Sequence, residues 1–123
     1  MDSTGNVVAG GGTSDINLSL TSSSLPTPIV DFIDFNGLFS WSFKLTETSP
    51  DYQWVASIKF NPAATKIAAV LDKSLSQPLL MLIIDPSVGS IISQYTEPAS
   101  SNSGYIGPNS LVFDSLGNVY LAL

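Results

Sequence analysis

"FDSLGNVYLAL" (113–123) contains the phrase Asp114-Ser115-Leu116-Gly117-Asn118-Val119, and "MDSTGNVVAG" (1–10) carries the same phrase as Asp2-Ser3-Thr4-Gly5-Asn6-Val7. In such a phrase the Asp side chain accepts hydrogen bonds from backbone amides just ahead of it. The Gly supplies the positive φ of a tight hairpin, and the apolar run that follows reads as the returning strand. The phrase therefore encodes a turn between two antiparallel strands.

Working outward, the closing "SLVFDSLGNVYLAL" (110–123) aligns with "SIKFNPAATKIAAVL" (57–71) after one inserted residue. Ser110 falls on Ser57, Phe113 on Phe60, Asp114 on Asn61, Val119 on Ile67 and Leu121 on Ala69. A second phrase recurs: "FIDFNGLFSWSF" (32–43) aligns with "LIIDPSVGSIISQY" (82–95), placing Asp34 on Asp85 and Gly37 on Gly89. The repeat is roughly 50–60 residues long, near the range of propeller blades.

The elements expected are all strands. "LLMLIID" (79–85) is a continuous apolar run, as suits a strand covered on both faces. "PSVG" and "FNG" are turns, followed by "SIISQY" and "LFSWSF" as last strands. No segment sustains helical spacing. Each unit then holds about four strands in an antiparallel meander, which is the unit of a β-propeller. The expected fold is all-β, an incomplete β-propeller; the alternative is a β-sandwich. The division expected is a partial blade over 1–49 with a polar insert at 10–28, a complete blade over 50–98, and a partial blade over 99–123. A closed propeller needs at least about four blades, so these residues are expected to be a window of a longer polypeptide.

The units resemble the SBBP-type β-propeller repeat, in the company of NHL-like and kelch-like blades. The resemblance rests on Tyr-x4-Ser (Tyr52 to Ser57, Tyr105 to Ser110), on the 114–122 phrase and on "IDPSVGSII" (84–92). It covers nearly the whole chain and departs at "NPAAT" (61–65), where the Gly is missing. It implies a scaffold, often extracellular or displayed at the cell surface, and no particular activity.

Composition narrows the chemistry. The chain has 123 residues, 44% of them apolar and 11% charged, so it is not disordered through excess charge. The net charge is −6 and there is no arginine, which disfavours nucleic acid and anionic membrane surfaces as partners. Cysteine and histidine are both absent. Disulfides, thiolate or imidazole metal sites and Ser-His-Asp catalysis are thereby excluded. "PLLMLII" (78–84), the longest apolar run, is far below the ~20 residues of a membrane-spanning helix.

Candidate sites are few. "AGGGTSD" (9–15) lacks the Lys-Ser/Thr and the helix of a phosphate cradle, and reads as a loop. Asp2, Asp34, Asp85 and Asp114 fall at equivalent turns and read as turn-formers. Asp31, in "PIVDFIDF", stands where Leu82 stands in the next unit; a carboxylate there is a candidate channel-facing acid. Trp41, Trp54 and Tyr105 are candidate surface-binding aromatics, with blade packing as their competing role. Asn17 heads the sole glycosylation triplet, Asn17-Leu18-Ser19.

No catalytic, cofactor or metal residue is assigned. The expected function is a non-enzymatic structural or interaction scaffold outside the cell or at its surface. Its partners are expected to be the remaining blades, neighbouring subunits, or a protein or glycan. The alternatives are a glycan-acting enzyme with axial carboxylates and a filament subunit pairing through its edge strands.

Overall fold

A computed structural model describes residues 1–13, 27–44, 54–71, 79–96 and 109–122. Among them there is no helix, and the fold is all-β with three antiparallel sheets. The first sheet holds β1 (Val7–Thr13), β2 (Thr27–Ile33) and β3 (Phe39–Lys44); the third holds β8 (Leu111–Phe113) and β9 (Val119–Leu121). Between them lies a meander of β4 (Val55–Phe60), β5 (Ile67–Leu71), β6 (Leu80–Asp85) and β7 (Ser90–Thr96).

The middle sheet is covered on both sides, and period-2 alternation decides which residue meets which neighbour. Ile67, Ala69 and Leu71 of β5, with Leu80, Leu82 and Ile84 of β6, pack with Val8, Val30, Phe32 and Trp41 of the first sheet. Ala68 and Val70 point the other way, with Met81 and Ile83, and meet Leu111, Phe113, Val119 and Leu121 of the third. All five residues of β5 are therefore buried. That is why "IAAVL" shows no polar alternation. β7 is the contrary case: all seven of its residues are exposed.

The same alternation repeats from sheet to sheet. Ile67 and Ala69 turn toward the first sheet; Val119 and Leu121, their counterparts in the alignment, turn toward the second. The outer strands β3 and β7 share a further feature, an unpaired bulge residue at Ser40 and at Ile92. These are equivalent positions, each three residues after the aligned turn glycine, Gly37 or Gly89. A third bulge, at Ala56, is peculiar to β4.

One expectation is corrected. In place of a polar insert over the whole of 10–28 and a loop at "AGGGTSD", Ala9–Thr13 lie within β1 and Thr27–Pro28 within β2. The reason is tertiary. A Cβ on Gly10 would lie 2.6 Å from Val55 Cγ1, so glycine permits β1 to approach β4 closely.

Candidate functional site

The chemistry-bearing side chains of the described residues gather at the tight turns and at the seam between the first two sheets. Each tight turn is organised by one Asp or Asn. The Asp2 Oδ1 accepts from the backbone N–H groups of Thr4 and Asn6, both at 2.9 Å. Asp34 Oδ1 accepts likewise from Asn36 and Leu38, and Asp114 Oδ1 from Leu116 and Asn118, all at 2.9 Å. In each case the amides two and four residues ahead are capped, and the Asp N–H closes the hairpin on the carbonyl four residues on. Gly5, Gly37 and Gly117 take φ of 96°, 79° and 86°, the left-handed position of a three-residue hairpin loop.

Two turns are one residue longer. Asn61 Oδ1 accepts from the N–H groups of Thr65 and Lys66, at 2.8 and 2.9 Å. Here Ala64 takes the left-handed place of the missing glycine, at φ 55°. Asp85 Oδ1 accepts from the Ser87 N–H and hydroxyl, and Gly89 takes φ 74°. Antiparallel alternation puts the tight turns of a given sheet at one end. In the first sheet the Phe35 N–H donates to Asn6 Oδ1 at 2.9 Å, tying the two turns together.

Such bonds lower the pKa of Asp2, Asp85 and Asp114. At Asp2, desolvation pushes the value up, but hydrogen bonds from Asn6 and Thr4 outweigh it and leave the pKa at about 2. Asp85 is lowered by the Ser87 hydroxyl and amide. The Asn118 side-chain amide lowers Asp114, against a smaller opposing desolvation. Carboxylates held ionised in this way are acceptors for the backbone and are poor general acids.

Asp31 sits on β2, the central strand of its sheet, opposite Ala9 and Ser42. The Ser42 hydroxyl donates to its Oδ1 at 2.7 Å. It shares the face of Ile29 and Ile33, which alternates with the Val30 and Phe32 that pack against the second sheet. Among the described residues, no three His, Cys, Asp or Glu side chains are grouped to hold a metal ion.

Trp41, a candidate surface aromatic with blade packing as its competing role, is engaged in packing between sheets. Its ring stacks on Phe32 at 5.4 Å, its Nε1–H donates to the Pro86 carbonyl at 2.7 Å, and it lies over Gly89. Trp54 precedes β4 and is 42% exposed. Tyr105 and Asn17 lie outside the described residues.

Gly10, Gly89 and Asn6 gained their roles only in the structure. Asn6 was legible as part of the repeated phrase, whereas the two glycines serve contacts distant in sequence. Comparison with known proteins finds no family model and no curated protein that matches this chain.

Proposed function

We propose that the chain is a non-enzymatic structural and interaction scaffold, a segment of an SBBP-type β-propeller within a larger surface or assembly protein. The reading is carried by the two-sided burial of the middle sheet, in which repeated positions of successive units turn toward the preceding sheet. Propeller blades stack in this manner. The engagement of Asp2, Asp34, Asp85 and Asp114 in backbone hydrogen bonding also favours a scaffold over hydrolytic chemistry. Binding would fall to the connections between strands, above all to the stretches within 10–28 and 96–109 of the sequence. The partner is a protein or glycan outside the cell or on its surface, alongside further blades.

The test is incubation of the protein with arrays of glycans and extracellular proteins, with product analysis of every glycan retained. Retention without turnover is expected. Glycan cleavage that disappears in Asp31→Asn would overturn the scaffold reading in favour of an enzyme.

A second reading, a filament subunit joined through edge strands, draws on β7. Its "SIISQYT" is exposed throughout and carries no charge, so it lacks the lysines that commonly blunt an edge. Concentration-dependent fibres in electron micrographs would favour it.

A further inference from the structure

Asn36-Gly37, in the turn between β2 and β3, is the one Asn-Gly step of the sequence. Both residues are exposed, and a Cβ placed on Gly37 would meet nothing within 4 Å, so no neighbour crowds the step. The asparagines of the other tight turns differ on two counts. Their side-chain amides are occupied: Asn6 Nδ2 donates to Asp2 Oδ2 and Asn118 Nδ2 to Asp114 Oδ2, both at 2.8 Å, and Asn61 Nδ2 to Thr65 Oγ1 at 3.0 Å. The residues that follow them also obstruct attack. Val7 and Val119 are β-branched, and Pro62 has no N–H. Among the described residues nothing engages the Asn36 carboxamide; its bond to Asp34 Oδ1, at 2.9 Å, is made by the backbone N–H.

We propose that Asn36 is a self-modification site, at which the Gly37 nitrogen displaces the carboxamide nitrogen and the product loosens the turn. The deprotonated Gly37 nitrogen bonds to Asn36 Cγ, the Cγ–Nδ2 bond breaks, and ammonia leaves. A five-membered imide remains. Water then adds to one of its two carbonyls and opens the ring. One opening gives aspartate; the other gives isoaspartate, with Cβ now part of the main chain. Glycine favours the attack because it carries no Cβ beside the nitrogen.

The fold holds this chemistry back. The Gly37 N–H donates to the Asp34 carbonyl at 2.9 Å, and Asp34 Oδ1 caps the amides of Asn36 and Leu38. The nitrogen must leave that bond before it can reach the carboxamide, so the reaction runs from the opened turn. Isoaspartate then adds one backbone atom to a tight hairpin loop. The extra atom strains the pairing of Ile33 with Phe39 and the bond from the Phe35 N–H to Asn6. Either product adds one negative charge to the present −6.

The test incubates the whole protein in mildly alkaline buffer and maps its peptides by mass spectrometry, with fragmentation that separates aspartate from isoaspartate. Residue 36 should convert several-fold faster than any other asparagine, with release of ammonia. Asp34→Ala, which uncaps two amides, should speed conversion about tenfold. Should that variant lose its fold, urea-unfolded protein replaces it and should likewise convert faster than the folded chain. Gly37→Ala should slow conversion although its strained φ of 79° favours an open turn, because a Cβ then shields the nitrogen. The isoaspartyl form, purified by ion exchange, should unfold at a lower urea midpoint. No conversion at Asn36, conversion led by another asparagine, equal rates in folded and unfolded protein, or an unchanged midpoint overturns the proposal.

Discussion

The indole N–H of Trp41 donates to the carbonyl of Pro86 at 2.7 Å, joining the last strand of the first sheet to the β6–β7 turn of the second. Gly89, in the same turn, lies so near the ring that a Cβ there would be 2.8 Å from its carbons. Trp41→Phe removes the donor and leaves the carbonyl short of a partner, at a cost of about 1–2 kcal/mol. Gly89→Ala suffers twice, through the ring contact and through a left-handed φ of 74° that costs a Cβ-bearing residue about 1–2 kcal/mol. In a Trp41→Ala background only the backbone cost remains. Urea unfolding of the double-mutant cycle should therefore show a coupling of at least about 1 kcal/mol; strictly additive effects would contradict the seating of the ring on Gly89.

Ala64 occupies a position that glycine takes in the shorter turns, with φ 55°. Left-handed backbone costs alanine about 1–2 kcal/mol, whereas the added unfolded-state freedom of glycine costs about 0.5–1 kcal/mol. The first effect is larger. Ala64→Gly should raise the urea midpoint, with a gain of up to about 1 kcal/mol. A lower midpoint would mean that the turn tolerates alanine without strain.

The turns and the all-β class were legible because their causes are local. Asp, Gly and Asn at fixed offsets satisfy backbone groups within the same few residues, so the phrases at 2–7 and 114–119 could be read without knowing what surrounds them. The strand over Ala9–Thr13 was not legible, since three successive glycines resemble a loop until Val55 is seen against Gly10. Trp41 was obscure for a related reason. Ser93, its counterpart in the next unit, gives no hint of a ring reaching across a sheet boundary, and the carbonyl it meets is 45 residues away. Asp31 was conspicuous in the sequence, yet only cross-strand pairing could supply Ser42 as its donor.

Acid should loosen the turns before it reaches the apolar seams. Asp2, Asp85 and Asp114 all have folded-state pKa values below the usual 3.8, with Asp2 at about 2. A depressed folded value favours the native state above the unfolded pKa, and that contribution is lost as pH falls through the folded one. Stability should thus decline from about pH 4 down to about pH 2. Tyr120 works in the opposite sense. Its hydroxyl donates to Asp114 at 3.2 Å, which raises its pKa above 10.0, so its contribution is full below that value and fades at higher pH. Carboxyl NMR titration should find Asp114 moved toward the usual value in Asn118→Ala. An unchanged titration would remove the Asn118 amide as the main cause.

Asp31 and Leu82 hold equivalent positions, three residues before the Asp that forms the turn, but the surroundings of the two differ sharply. Leu82 is 1% exposed and packs into the seam with the first sheet, whereas Asp31 is half-buried and has its carboxylate met by the Ser42 hydroxyl. Leu82→Asp would bury a carboxylate among Ile67, Ala69, Leu71 and Val30. Nothing in that apolar cluster offers a compensating donor, and such burial costs several kcal/mol. The variant should unfold or separate the first two sheets, with loss of the β signal in far-ultraviolet circular dichroism or a collapse of the thermal transition. Asp31→Leu should keep the fold, because a larger apolar side chain on that face displaces no packed neighbour; its expected change is within about 1 kcal/mol. If the two substitutions prove equally damaging, the two faces are equally covered, and the asymmetry between the first and second sheets is wrong.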